Sequence, residues 1–200
     1  MGKIEIREPI QKRSIKKKEK IIKAGFELIC EKGYHNINTS QIAKKAGVST
    51  GIIYQYFNDK HDILIAGLEK YADDIFYPLL NISDVKFNKE KISDIIKSTI
   101  EQYIKNHKLS LIAHEEITAM THSDKDVAYY FYKREMEMTH KISEILIQND
   151  LLIDNINEKV HIIIGLMDNL CHEIVYHKHN ELDYKIMTDI VTNTIVNILK

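Results

Sequence analysis

The stretch from Thr39 to Lys60, TSQIAKKAGVSTGIIYQYFNDK, decides how this chain is read. Thr39 is placed to cap a short helix, Ser40 to Ala46, by accepting a bond from the free N–H groups of its first turn. Gly47 sits where that helix must stop and where a positive φ suits the backbone. Ser49 is placed to cap a second helix, Thr50 to Tyr56. Ile42, Val48, Ile53 and Phe57 are spaced to point inward and hold the two helices together. Ala43 is small enough to let them cross closely. Thr50, Gly51, Tyr54, Gln55 and Tyr56 are left facing out. A short helix with an apolar back and a small, hydrogen-bonding front fits a DNA major groove.

The outward residues have matching chemistry. The hydroxyls of Ser49, Thr50 and Tyr54 suit phosphate oxygens and base edges. Gln55 has the two-pronged amide that pairs with adenine. Gly51 has no side chain, so DNA can approach the backbone. Lys60 opens the next helix, where its charge adds to the positive helix end to hold a phosphate.

The segment is preceded by a basic helix ending in GFELICEKGY, Gly25 to Tyr34. With Thr39, Ile42-Ala43, Ala46-Gly47-Val48-Ser49, Gly51, Tyr54, Phe57 and Lys60 in order, the chain resembles the TetR family of bacterial transcriptional repressors. The resemblance covers about a quarter of the chain; the rest matches only in length and helical character. It implies that Thr39, Ser49, Tyr54, Tyr56 and Lys60 position the DNA backbone and that Thr50, Gly51 and Gln55 read bases. Thr50 and Ile52 depart from the commoner pattern, a lysine and a small hydroxyl residue. The resemblance also implies a homodimer joined through the last two helices, and a small-molecule effector that releases a double-stranded DNA operator.

Net charge conceals an asymmetry. Residues 1–60 carry 13 Lys and Arg against 6 Asp and Glu, a net +7, while residues 61–200 carry 15 against 23, a net −8. The basic half coincides with the helix-turn-helix, as phosphate binding requires. Pro9 and Pro78 are the two prolines, so few breakers follow residue 78 and helices should run almost throughout. No apolar run spans a membrane and no secretory leader is present, so a cytoplasmic protein is expected. Cys30 and Cys171 suggest no disulfide framework.

The expected fold is all-α, about nine helices. Residues 1–59 form an arm and DNA-binding domain, and residues 60–200 a regulatory and dimerisation domain. Helices are predicted over 15–32, 40–46, 50–56, 60–80, 89–106, 109–121, from a Ser123–Asp126 cap to 148, 158–178 and 183–199. Residues 1–14 read as an arm and 81–88 as a loop. In the fourth helix Ile63, Leu64, Leu68, Tyr71, Ile75 and Leu79 point inward.

Further candidates lie in the second domain. Asp168 and His172 are four apart beside an apolar face, so they form either a polar handle in a ligand cavity or a plain hydrogen-bonded pair. Tyr103, His107, His114 and Thr118 are other possible pocket linings. Leu170, Ile174, Ile190 and Ile195 lie on stripes that a monomer would expose, marking a dimer interface. Glu137–His140 and Glu158–His161 have the spacing of a di-iron bundle, but the first pair lies on a solvated face with Lys141 and Glu144. No metal site and no cofactor are therefore expected. The reading is a dimeric repressor released by a small apolar effector. The alternatives are a regulator of the same fold without an effector, and a metal-dependent helical-bundle enzyme.

Overall fold

The computed structural model describes residues 11–80, 92–106, 109–151 and 153–200, and for 71–80 the backbone alone. The fold is all-α. Among the described residues there are nine helices and no strand: α1 Lys12–Lys32, α2 Thr39–Ala46, α3 Thr50–Ile53, α4 Lys60–Leu80, α5 Ile92–Asn106, α6 Leu111–Ser123, α7 Lys125–Gln148, α8 Ile156–Val175 and α9 Tyr184–Ile198. None of them is long and apolar enough to cross a membrane. The arm expected over residues 1–14 is shortened by α1, which starts at Lys12; its residues 1–10, the loop 81–88 and the side chains of Tyr71, Ile75 and Leu79 lie outside the described residues.

The chain forms two compact units, residues 1–71 with 108–131, and residues 72–107 with 132–200. The expected division after residue 59 falls differently in space. The start of α4, all of α6 and the start of α7 pack with the helix-turn-helix, because specific bonds fasten them there. Ser110 N–H donates to Cys30 O over 3.0 Å, and His35 N–H donates to Glu116 Oε2 over 3.1 Å. His61 Nε2 meets Asp124 Oδ2 at 2.8 Å.

In the first unit, α1 buries Ile21, Ala24, Gly25, Leu28 and Ile29, one stripe at helical spacing. The α2 cap is Asn38 rather than Thr39. Asn38 Oδ1 accepts from Gln41 N–H over 3.0 Å, and Gln41 Oε1 accepts from Asn38 N–H over 2.9 Å. This reciprocal pair satisfies two orphan donors, leaving Thr39 as the first helical residue. Gly47 adopts the left-handed conformation, φ 67° and ψ 37°. Helix α3 is a single turn, shorter than expected. Ser49 precedes it and makes no side-chain cap bond. The α7 cap is Asp124 rather than Ser123. Asp124 Oδ1 accepts from the N–H groups of Asp126 and Val127, while the Ser123 hydroxyl donates back to Ala119 O. The Val127 N–H, together with His61, holds the Asp124 carboxyl below its usual range.

In the second unit, α5 buries Ile92, Ile96, Ile100 and Tyr103 and packs on both α8 and α9. That packing corrects two residues of the expected dimer interface. Leu170 and Ile195 are 2% and 1% exposed, so they belong to the protomer's own core. Ile174 is half-buried. Ile190 is 58% exposed, and Ile162 and Ile186 are also exposed.

Gly33 has φ 83°, and a Cβ there would lie 2.7 Å from Ile112 Cγ2 and 2.8 Å from Glu116 Oε2. Gly33→Ala should therefore add a clash to a strained backbone and cost about 2–4 kcal/mol in urea denaturation. Gly47→Ala meets open space and should cost only about 1–2 kcal/mol. Equal losses for the two variants would show that α6 yields without cost.

A helix-turn-helix surface and an apolar cavity

The back of the α2–α3 pair is sealed. Ile42 and Ile53 are fully buried, and Ala43 and Phe57 nearly so. The front presents Ser49, Gly51, Tyr54 and Gln55 to solvent, with Thr50 half-buried. Tyr54 Oη and Thr39 Oγ1 lie 3.2 Å apart, so a hydrogen bond ties the outward tyrosine to the start of α2. A Cβ on Gly51 would meet no atom within 4 Å. Nothing inside the protein requires a glycine there.

Two expected contact residues turn inward. Tyr56 is 9% exposed. Because α3 ends at Ile53, the turns that follow rotate Tyr56 into the interior beside Phe57. Lys60 Nζ donates to Tyr34 O over 2.8 Å and to Ile37 O over 3.0 Å, and lies 4.3 Å from the Tyr34 ring centroid. Its ammonium thus binds the α1–α2 connection, where carbonyls past a helix end lack helical partners. Lys45 is absorbed too, with Nζ 2.7 Å from Glu31 and 3.4 Å from Glu27. Among the described residues, Lys32, Lys44 and, on the first turns of α1, Lys12, Arg13, Lys16 and Lys20 are exposed.

A cavity of about 80 Å³ lies within the second unit, between α5, α7, α8 and α9. Ile95, Tyr103, Met138, Ile163 and Met167 contribute to its wall. Of the expected ligand residues, only Tyr103 lines it. Asp168 and His172 stand off the wall. Asp168 Oδ1 accepts from Tyr103 Oη over 2.7 Å, and its other oxygen faces His172 Nδ1 at 3.4 Å. His114 and Thr118 belong to the first unit because α6 packs with α1. His114 is buried there with Glu115 3.6 Å away, and Thr118 is exposed. His107 lies outside the described residues. Glu137 and His140 are exposed, with Glu137 paired to Arg134 and Lys133. His161 instead meets Thr139 and Glu135. Burial pushes the Cys30 and Cys171 thiols up to about 11 and about 12, so both are protonated at neutral pH and unreactive.

Comparison with known proteins agrees with this geometry. Residues 21–66 match the family model of the bacterial regulatory proteins of the tetR family. The chain is 34% identical over 127 residues to a fatty acid metabolism regulator protein of Bacillus subtilis, covering 63% of this chain and 58% of that one. It is 47% identical over 57 residues to the HTH-type transcriptional regulator HbdR of Aromatoleum, covering 28% of this chain and 25% of that one. The matched segments thus span less than two thirds of these relatives. A TetR transcription regulator from Haloarcula marismortui superposes with a TM-score of 0.69 at 16% identity, over 92% of this chain and 97% of that one. Residues 21–66 thus carry the DNA-binding domain of the bacterial regulatory proteins of the tetR family, and the chain has the all-helical fold of solved regulators of that family.

Proposed function

We propose that the protein is a cytoplasmic transcriptional regulator that binds an operator as a homodimer, represses, and is released by a small, mostly apolar effector. The observation that carries the reading is the exposed, hydrogen-bonding front of α2–α3 on a sealed apolar back. That front supports base contacts from Thr50, Gly51 and Gln55. It supports backbone contacts from Thr39, Ser49 and Tyr54, with the exposed cations of α1 adding phosphate charge. Tyr56 and Lys60 are assigned a positioning role, since both side chains point into the protein. Asp168 and His172 are not assigned to the effector. The enzyme alternative gains no support, because the matching family and the relatives named above are transcriptional regulators.

Repression and release follow from linkage. An effector that binds one state of the dimer better than the other weakens DNA binding by that difference in affinity. The exposed Ile162, Ile186 and Ile190 of α8 and α9 form the apolar surface that a second copy would cover. A twofold dimer presents two heads to inverted half-sites. The outward front offers Gln55 and no arginine, and the chain holds 3 Arg among its 28 Lys and Arg. A palindromic operator rich in A·T pairs follows from that chemistry.

Gly51→Ala tests the DNA face directly. The variant should fold at least as stably as the parent, since alanine is the better helix former by about 1 kcal/mol. It should nevertheless bind the operator at least about tenfold more weakly, because its methyl stands where DNA approaches the backbone. Undiminished affinity in fluorescence anisotropy would remove α3 from the groove.

Gln55→Ala should cost about 1–3 kcal/mol and relax selectivity at one base pair, while leaving the salt slope unchanged. Lys60→Ala should also leave that slope unchanged, since its charge faces Tyr34 and Ile37, yet lower the stability of the head. A slope flattened by about one unit would return Lys60 to the phosphates.

Ile190→Lys should convert the dimer to a folded monomer in light scattering, because a twofold interface buries the charge twice. A dimer that survives would place the interface elsewhere. Leu170→Lys should instead unfold the protomer.

A further inference from the structure

Among the described residues on the wall of the second-unit cavity, two carry hydroxyls, and each donates its proton to a partner. Thr99 Oγ1 donates to Ile95 O over 2.8 Å, one turn back along α5. Its methyl is what remains for the wall. Tyr103 Oη donates to Asp168 Oδ1 over 2.7 Å. Tyr103 is 5% exposed, so the ring is buried while its hydroxyl reaches a half-exposed carboxylate. Asp168 therefore acts as a positioning residue that draws the tyrosine's polar end away. Met138, Met167, Val160, two leucines and isoleucines from α5, α7, α8 and α9 supply the rest of the surface. Among the described residues, the wall is almost wholly apolar and both of its hydroxyl protons are already donated elsewhere.

Size narrows the occupant further. A cavity of about 80 Å³ is smaller than the engineered space of about 150 Å³ that admits benzene in a dry apolar core. An aromatic ring or a fused ring system does not fit without displacing side chains. A thread of methylenes does. The space is partly open, and Ile95, Thr99, Ile142, Ile164 and Met167 are each half-buried along it. A molecule can therefore insert one end and leave the other outside. Thioether side chains such as Met138 and Met167 adapt to a chain of variable length.

We propose that this cavity binds the unbranched hydrocarbon tail of an amphipathic molecule and that the molecule's polar group stays outside it, because the described wall is almost wholly apolar and its two hydroxyl protons are committed elsewhere. The inference deepens the effector reading and rests on it for biological meaning, but the binding itself does not depend on DNA. The tail contributes affinity through apolar burial alone. The wall does not select the head group, and tail shape is the filter.

The test is titration calorimetry on the full chain without DNA, using n-alcohols from butanol to decanol. Affinity should rise about fourfold per methylene, the factor that corresponds to burial of one CH₂, and level off once the space is full. Octanol, octanoate and octyltrimethylammonium should agree within about threefold. Benzyl alcohol and cyclohexanol should bind at least about tenfold more weakly than hexanol. Tyr103→Phe and Thr99→Val should leave octanol affinity unchanged, since the atoms they remove face away. Met167→Trp should abolish binding while circular dichroism shows an unchanged melting curve. If that variant fails to fold, Ile164→Phe gives the same readout from a half-buried position. A head-group preference beyond about threefold would overturn the proposal. So would absence of chain-length dependence, loss of affinity in Tyr103→Phe or Thr99→Val, full binding in a folded blocking variant, or no binding by any alcohol. Failure here with operator binding intact refutes the tail site and leaves the DNA-binding reading standing. Tail binding without operator binding does the reverse.

Discussion

The head depends on the close approach of α1, α2 and α4 at Gly25. A Cβ at that position would collide with Ile63 of α4 and touch Ile42 of α2 at 3.6 Å. With hydrogen there, both fully buried isoleucines reach the α1 backbone. Packing at this density tolerates little added volume. Gly67 plays the matching part on α4, where a Cβ would lie 2.5 Å from the Phe26 ring. The orientation of α3 follows from this arrangement, since Ile53 and Phe57 complete the same core. A four-residue helix has no stability of its own. It is held entirely by what its back is packed against.

The cations of the head divide by role. Lys60 directs its charge to backbone carbonyls, and Lys45, on the surface of α2, pairs with Glu27 and Glu31 of α1. They act as struts between α1, α2 and α4. Among the described residues, other exposed cations lie on α1 and, as Lys44, on α2. DNA recognition needs two functions. Diffuse charge attracts any duplex, while short side chains held at fixed positions distinguish one sequence from another. The net +7 of residues 1–60 thus overstates the charge available at the reading face.

The cavity wall shows how helical geometry can turn polar residues into apolar lining. A threonine inside a helix can return its hydroxyl to the carbonyl four residues earlier, as Thr99 does with Ile95. A tyrosine has a ring long enough to line a space and deliver its hydroxyl beyond it, as Tyr103 does with Asp168. Composition alone scores both as polar.

Local chemistry was legible in the sequence. The apolar spacing of α1 marks Ile21, Leu28 and Ile29 as buried, whereas Ala24 and Gly25 join them only through the approach of other helices; the stop at Gly47 follows from the need for a left-handed residue. The inward set of Ile42, Ile53 and Phe57 follows from spacing. Where two neighbours have similar chemistry, the sequence pattern pointed to the wrong one, Thr39 for Asn38 and Ser123 for Asp124. Asn38 and Thr39 can both cap, as can Ser123 and Asp124, and the choice depended on which backbone left the helical path. The destination of long-range contacts was not legible at all. The stripes on α8 and α9 announced burial without naming the partner, and α5 took Leu170 and Ile195 into the protomer's core while leaving Ile190 outside. Lys60 sits in a basic segment next to a DNA-reading motif, and only the fold brought the carbonyls of Tyr34 and Ile37 within reach of its ammonium. The sequence by itself determined most of the helices and many of their buried residues, because those rest on interactions within a few residues. The tertiary structure decided which buried face meets which, and which charges remain free, because those depend on residues brought together from distant parts of the chain.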